Sequence, residues 1–204
     1  SGGTGNHGNG HNMGKTISTQ KHGVGEYIGI KIDASGNFKW YRYFGGTSND
    51  RVNDVIETDS GELMLVGFSE STNFDVTDNK GSYDYWIVKL HHDGELMWTR
   101  SYGGSDIDQA FGVADAGNGK YMITGRSNSL DGDISGPKGN FDAWVIQINE
   151  EGNLIWQKSL GGADYDSSNA IKKLKNGNFG IVGNSRSSNS SLNNKGENDF
   201  WYAV

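Results

Sequence analysis

Asp84-Tyr85-Trp86-Ile87-Val88-Lys89-Leu90, the turn His91-His92-Asp93-Gly94, then Leu96-Met97-Trp98 and the pair Gly103-Gly104 form the stretch on which the fold turns. In an extended chain Trp86, Val88 and Leu90 fall on one side and Tyr85 and Ile87 on the other, so both faces are largely apolar. A strand of that kind is sandwiched between neighbouring layers. The strand after the turn puts Leu96 and Trp98 on one face and Thr99 and Ser101 opposite, the alternation of a half-exposed strand and a candidate for an outer edge. Upstream, residues 52–58 and 63–68 flank Asp59-Ser60-Gly61-Glu62 and read as a hairpin. Four antiparallel strands are thus written between Gly45 and Gly103.

The phrase repeats. Trp40, Trp98 and Trp156 are 58 residues apart, as are Gly45, Gly103 and Gly161, and Gly67, Gly125 and Gly183. A period of this length signals stacked supersecondary units, each needing its neighbours to bury its faces. The expected fold is all-β: a β-propeller-type array of four-stranded antiparallel blades with about three and a half repeats. A β-sandwich is the alternative, but sandwich sequences do not usually repeat a whole four-strand phrase. Helical spacing finds no support, and the single Pro137 sits in a loop. The organisation read from the period is a glycine-rich lead segment, 1–24, and an array, 25–204, divided into a partial blade 25–46, blades 47–104 and 105–162, and a partial blade 163–204. Both partial blades supply a third strand, so ring closure does not follow from the count. Residues 15–19, sequence beyond Val204, or a second chain are the candidates to cover the open edges.

Composition narrows the partner. A net charge of −7 without a basic stripe disfavours nucleic acid and anionic membrane surfaces. The absence of cysteine removes disulfides, thiolate metal sites and cysteine nucleophiles. No apolar run approaches a membrane span, and Ser1-Gly2-Gly3-Thr4-Gly5-Asn6 reads as a tether of the sort that follows a removed leader or a lipidated residue.

The runs Asp84 to Leu90, Asp93-Gly94-Glu95-Leu96-Met97-Trp98, Tyr102-Gly103-Gly104 and Ile123-Thr124-Gly125 resemble the bacterial β-propeller repeat family often called seven-bladed propeller repeats. Asp131-Gly132-Asp133-Ile134-Ser135-Gly136 followed by Phe141-Asp142-Ala143-Trp144 is similar to the versions in Bacteroidetes surface and secreted proteins. The resemblance runs from Gly25 to Val204. It implies a propeller and an extracytoplasmic place, periplasm, outer membrane or cell surface, in lipoproteins or secretion cargo, and it implies no catalytic residues.

Strand alternation sends the connections after strands two and four to one rim. These are the long ones, 69–83, 127–141 and 185–198, and recognition is expected there. Their candidate ligand-binding residues are Asn73, Asp75, Asp78, Asn79, Asn128, Asp131, Asp133, Asn189, Asn193 and Asn194, a chemistry of amides and carboxylates suited to a protein edge or to sugars. Phe74, Tyr83 and Phe141 are the aromatics within those loops. Trp40, Trp86, Trp98, Trp144, Trp156 and Trp201 recur by architecture and are assigned to packing between blades. Asp50, Asp108 and Asp166, four residues beyond each Gly-Gly pair, are expected to fix turns by accepting backbone N–H groups; binding a cation is the alternative. The 131–136 loop superficially resembles a calcium loop but lacks its third acid and closing Glu. His7, His11 and His22 lie in flexible sequence poorly suited to a metal site. No cofactor, no metal and no catalytic residue is nominated. The expected role is a non-enzymatic module of the bacterial envelope that binds or caps a protein partner, with a carbohydrate-binding module and then a hydrolase as rivals.

Overall fold

The computed structural model describes residues 21–188 and 199–203. His7, His11, residues 15–19, Asn189, Asn193 and Asn194 lie outside the described residues. Among the described residues every regular element is a strand, and the strands form antiparallel sheets in sequence order. The first sheet is β1 (Tyr27–Ile32) and β2 (Phe38–Phe44). The second is β3 (Asp50–Glu57), β4 (Leu63–Ser69), β5 (Asp84–Leu90) and β6 (Leu96–Tyr102). The third repeats it as β7 (Asp108–Asp115), β8 (Lys120–Ser127), β9 (Asp142–Asn149) and β10 (Leu154–Leu160). The last holds β11 (Asp166–Lys173), β12 (Phe179–Ser185) and β13 (Asp199–Ala203).

Three apolar clusters lie at the three junctions between successive sheets. Tyr27, Trp40 and Phe44 of the first sheet meet Leu65, Trp86, Val88 and Leu90 of the second. On the opposite face of the second sheet, Met64, Val66, Tyr85 and Ile87 meet Ala110, Ile123, Trp144 and Ile146. Ala143, Val145 and Met122 then meet Ile171, Ile181 and Trp201. All seven residues of β5 are buried, the doubly covered strand its composition requires.

Two contacts recur along the chain, one between sheets and one within each. Tyr27 donates its hydroxyl to the Trp86 carbonyl at 2.8 Å and Tyr85 to the Trp144 carbonyl at 2.9 Å, each ring lying about 4.5 Å from the indole it faces. Burial pushes both phenols well above their ordinary range, which keeps them neutral donors. The second contact is a bulge. Register slips between Val52 and Asp54, Ala110 and Gly112, and Ser168 and Ala170, leaving Asn53, Phe111 and Asn169 as extra residues on the first strands. Opposite stand Gly67, Gly125 and Gly183, where a Cβ would lie 1.9–2.0 Å from the carbonyl oxygens of Arg51, Gln109 and Ser167. Only glycine admits that approach.

Two expectations are corrected. The tryptophans of the fourth strands are not equally buried. The Trp40 ring packs under Gly94 and the Trp98 ring under Gly152, each the turn glycine of the following unit. Trp156 has no such turn over it among the described residues and is 40% exposed. The polar face of β6 is also not the exposed one. Thr99 and Ser101 are buried beneath the 70–83 loop, where Thr99 donates to the Asp75 carbonyl and the Asp78 carboxylate accepts the Ser101 N–H at 3.1 Å. A loop side chain continues the hydrogen-bond ladder at the sheet's outer edge, so polarity on this strand marks a loop-facing side.

Gly125→Ala is expected to destabilise the chain by about 3 kcal/mol or more, because backbone stands where the methyl must go. Gly36→Ala, at a positive φ in open space, is expected to cost about 1 kcal/mol. Urea unfolding of the two variants checks the contrast; equal losses would contradict the close-approach argument.

Candidate functional site

The long loops converge on one rim because each is sewn to the connection entering the first strand of its own sheet. Asp50 accepts the Gly46 N–H at 2.8 Å and the Ser71 hydroxyl at 3.1 Å, and Ser71 in turn accepts the Ser48 N–H. Asp108 with Ser129 and Asp166 with Ser187 repeat the arrangement. All three carboxylates are buried. These recurring aspartates therefore fix the turns, as their position suggested.

The expected rim residues are largely used in the same way. Asn73 accepts the Thr47 N–H and Asp131 the Ser105 N–H at the matching place. Asp75 and Asp133 accept the Gly45 and Gly103 N–H groups, and Asp133 also takes Lys80 at 2.9 Å. Asn79 donates to the Ser69 and Ser71 carbonyls, and Asn128 accepts from the Ile107 N–H. The carboxylates of the 131–136 loop are thus engaged with backbone and lysine. What these side chains supply is stiffness: the loops are long, yet their backbones are held at nearly every turn.

Among the exposed, mostly polar residues of these loops stand two large apolar ones. Phe74 is 57% exposed and Leu130 72% exposed. Phe74 also adopts φ 56°, the left-handed region, while Gly132, 58 residues on, adopts φ 66°. At Gly132 a Cβ would lie 2.3 Å from the Gly103 carbonyl oxygen. The second sheet therefore carries a strained aromatic where the third carries the residue the backbone asks for, a pattern that concentrates at functional positions. The His22 ring stacks on Phe74 at 4.1 Å. Tyr83 and Phe141 are turned to internal use, Tyr83 edge-on to Phe68 and Phe141 beneath the Arg126 guanidinium.

Where the first strands converge, a concavity of about 460 Å³ is lined by the bulge residues Asn53, Phe111 and Asn169 with Arg126, Tyr165 and Asn184. Arg126 is held there by two hydrogen bonds to Gln109 and one to the Tyr165 hydroxyl. The lining is amide, hydroxyl, aromatic and guanidinium.

Two features escaped the sequence. Lys89 is buried between sheets and paired with Glu62 at 2.8 Å and with Glu150 of the next sheet, while Tyr121 donates to the same Glu150 carboxylate. The lysine holds the Glu62 carboxyl below its ordinary range. Lys31, one period earlier, reaches the His92 carbonyl in the same sense. Secondly, carboxylates pair across the junctions. A Cβ on Gly103 would lie 2.5 Å from an Asp84 oxygen and 2.6 Å from an Asp108 oxygen, and Gly161 lies likewise between Asp142 and Asp166. Burial first, then the neighbouring Asp108 and Asp133, push Asp84 up to about 7 against the Lys80 N–H and charge. Burial also raises Asp108 and Asp142. The repeat of Asp84 at Asp142 is the sequence signal that could have exposed the pairing.

No family model matches the chain. Among curated proteins it is similar to the regulatory protein FlaEY of Caulobacter vibrioides, 26% identical over an alignment of 167 residues that covers 76% of this chain and 17% of that protein. The chain thus spans well under two thirds of that relative's length.

Two outcomes follow from this geometry. Asp84 binds its proton more tightly folded than unfolded, so between pH 4 and pH 7, roughly, the folded state holds the extra proton and stability falls as pH rises. Asp84→Asn keeps an acceptor for the Lys80 N–H, removes the charge, and is expected to raise Tm at pH 8 and flatten the pH profile; an unchanged profile would contradict the assignment. Phe74→Gly relieves left-handed strain against a modest entropy cost and is expected to be neutral or stabilising by up to about 1 kcal/mol in chemical unfolding. A loss beyond about 1 kcal/mol would show that the aromatic is there for packing.

Proposed function

We propose that the chain is a non-enzymatic interaction module, a β-propeller-type array acting at the bacterial cell envelope, which holds a protein partner on its long-loop rim. The observation that carries this reading is Phe74: an exposed aromatic kept at a strained position between Asn73 and Asp75, both braced by hydrogen bonds. A rigid rim with exposed apolar points suits a protein surface, where aromatic anchors in a stiff frame supply most of the affinity. The braced asparagines and aspartates serve as the frame, with Asn73, Asp75, Asp131 and Asp133 setting loop shape and Phe74 and Leu130 meeting the partner. FlaEY's designation as a regulatory protein is in keeping with an interaction role. The envelope location rests on the resemblance to surface and secreted propeller repeats, and subcellular fractionation of the native host tests it.

A glycan is the second ligand class, since one exposed rim aromatic can stack on a sugar ring. A single such ring favours a protein over a polysaccharide, because Tyr83 and Phe141 are engaged elsewhere.

Cross-linked capture from envelope fractions, run beside a glycan array, tests the reading. Wild type is expected to retain one envelope protein that Phe74→Ala releases at least tenfold, with Leu130→Ser weaker. Capture unchanged in both variants would contradict the rim assignment, and glycan binding lost in Phe74→Ala would transfer it to the second class.

A further inference from the structure

The concavity of about 460 Å³ between the first strands is built around an arginine that the repeat does not require. Phe68, Arg126 and Asn184 occupy one register position, opposite Arg51, Gln109 and Ser167. In the second sheet that place is met by Phe68, buried and edge-on to Tyr83. The third sheet puts a guanidinium there and braces it. Gln109 accepts from Nε at 3.0 Å and from Nη2 at 2.6 Å, and the Tyr165 hydroxyl accepts from Nη1. The Arg126 Cζ also lies 4.9 Å from the centre of the Phe141 ring, 5.5 Å from that of Tyr165 and 5.6 Å from that of Phe111. Of its five donors, one N–H on each terminal nitrogen is left unspent among the described residues.

What this arginine lacks is a carboxylate. Lys39, Arg42, Lys80 and Lys89 each stand within 4.0 Å of an acid. Arg126 has no such partner among the described residues, in a chain whose acids outnumber its bases 25 to 18, and the lining of the concavity contains no acid. A guanidinium fixed in direction and left without a counterion is prepared for an anion from outside, and its planar fork matches a carboxylate.

The amides around it are set for hydroxyl groups. Asn53 donates to the Ala110 carbonyl at 2.7 Å, which leaves its Oδ1 to accept. Asn169 accepts the Ser167 hydroxyl at 3.2 Å through Oδ1, which leaves its Nδ2 to donate. A hydroxyl both donates and accepts, so it serves either one. Asn184 adds a third amide and Phe111 an apolar wall. The volume falls within the range of roughly 300–1,000 Å³ usual for small-molecule sites.

We propose that this concavity binds a sugar acid, its carboxylate held by Arg126 and its hydroxyls by Asn53, Asn169 and Asn184. One guanidinium in the lining matches the single charge of a carboxylate, whereas a phosphate dianion asks for more positive charge than the lining supplies. An acidic amino-acid side chain would use Arg126 and bring no hydroxyls to the amides. Because Asn53 lies on β3, Arg126 on β8, and Asn169 and Asn184 on β11 and β12, the ligand bridges three successive sheets. The site is distinct from the Phe74 contact and stands if that assignment fails.

Titration calorimetry of the full chain with D-glucuronate, D-galacturonate and N-acetylneuraminate tests it. At least one is expected to bind saturably with a Kd of about 1 mM or tighter. D-glucose, which has the hydroxyls without the charge, and N-acetylglutamate, which has charge without the hydroxyls, are expected to bind roughly tenfold more weakly or worse. Arg126→Gln is expected to remove the binding, and Asn169→Ala, at an exposed side chain, to weaken it about threefold to tenfold. Circular dichroism confirms that the variants compared are folded, and Asn169→Ala decides if Arg126→Gln is not. No saturable binding of any of the three acids, glucose 6-phosphate bound more tightly than they are, N-acetylglutamate bound as tightly, or an affinity unchanged in a folded variant would each overturn the proposal.

Discussion

A strand apolar on both faces cannot stand in water, and that constraint organises the molecule. β5 is buried along its whole length, and neither of its faces is covered by its own sheet. Each must be hidden by a neighbour, Trp86 by Tyr27 and the first sheet, Tyr85 by Trp144 and the third. Burying a large aromatic side chain contributes roughly 2–3 kcal/mol, so a junction holding several of them outweighs the single hydrogen bond beside it, which contributes about 1 kcal/mol. The hydrogen bond from tyrosine to tryptophan carbonyl sets the register of sheets that hydrophobic burial holds together.

Cohesion of this kind frees the rims for other uses. The first strands bulge at Asn53, Phe111 and Asn169, and the glycines opposite let the backbone close. One end of the strands then carries tight turns, the other long loops pinned by Asp50, Asp108 and Asp166. Because the loops are stiffened by carboxylates and amides turned inward, the proposed contact surface is assigned to exposed residues that the bracing does not use. Phe74 is foremost among them, and its unfavourable backbone conformation is tolerated because the surrounding hydrogen bonds over-determine the loop.

The period, the strand order and the sheet boundaries were legible because each depends on residue type at fixed spacing: the twice-apolar third strand, the Gly-Gly pairs, the turn residues. The turn-fixing role of Asp50, Asp108 and Asp166 was legible for the same reason. Other features turn on what comes from elsewhere in the chain. Thr99 and Ser101 look solvent-facing by alternation, yet a loop folds over them. Lys89 looks like a break in an apolar strand, and only the approach of Glu62 and Glu150 from two sheets makes it a buried ion pair. Trp156 shares its position with Trp40 and Trp98, but among the described residues no turn covers it. Among the described residues, the polar side chains of the long loops, such as Asn73, Asp75 and Asp131, send their hydrogen bonds inward because loop backbone needs partners before any ligand does.

Segment-resolved native-state hydrogen exchange tests the account most directly. If the sheets are held by their neighbours, the amides of β5 and β9 exchange last and share one opening free energy close to that of global unfolding, with the turns at 59–62 and 117–119 opening far earlier. Protection of the β3–β4 hairpin in a state where β5 exchanges freely would contradict it, because the sheets would then be stable units that merely touch.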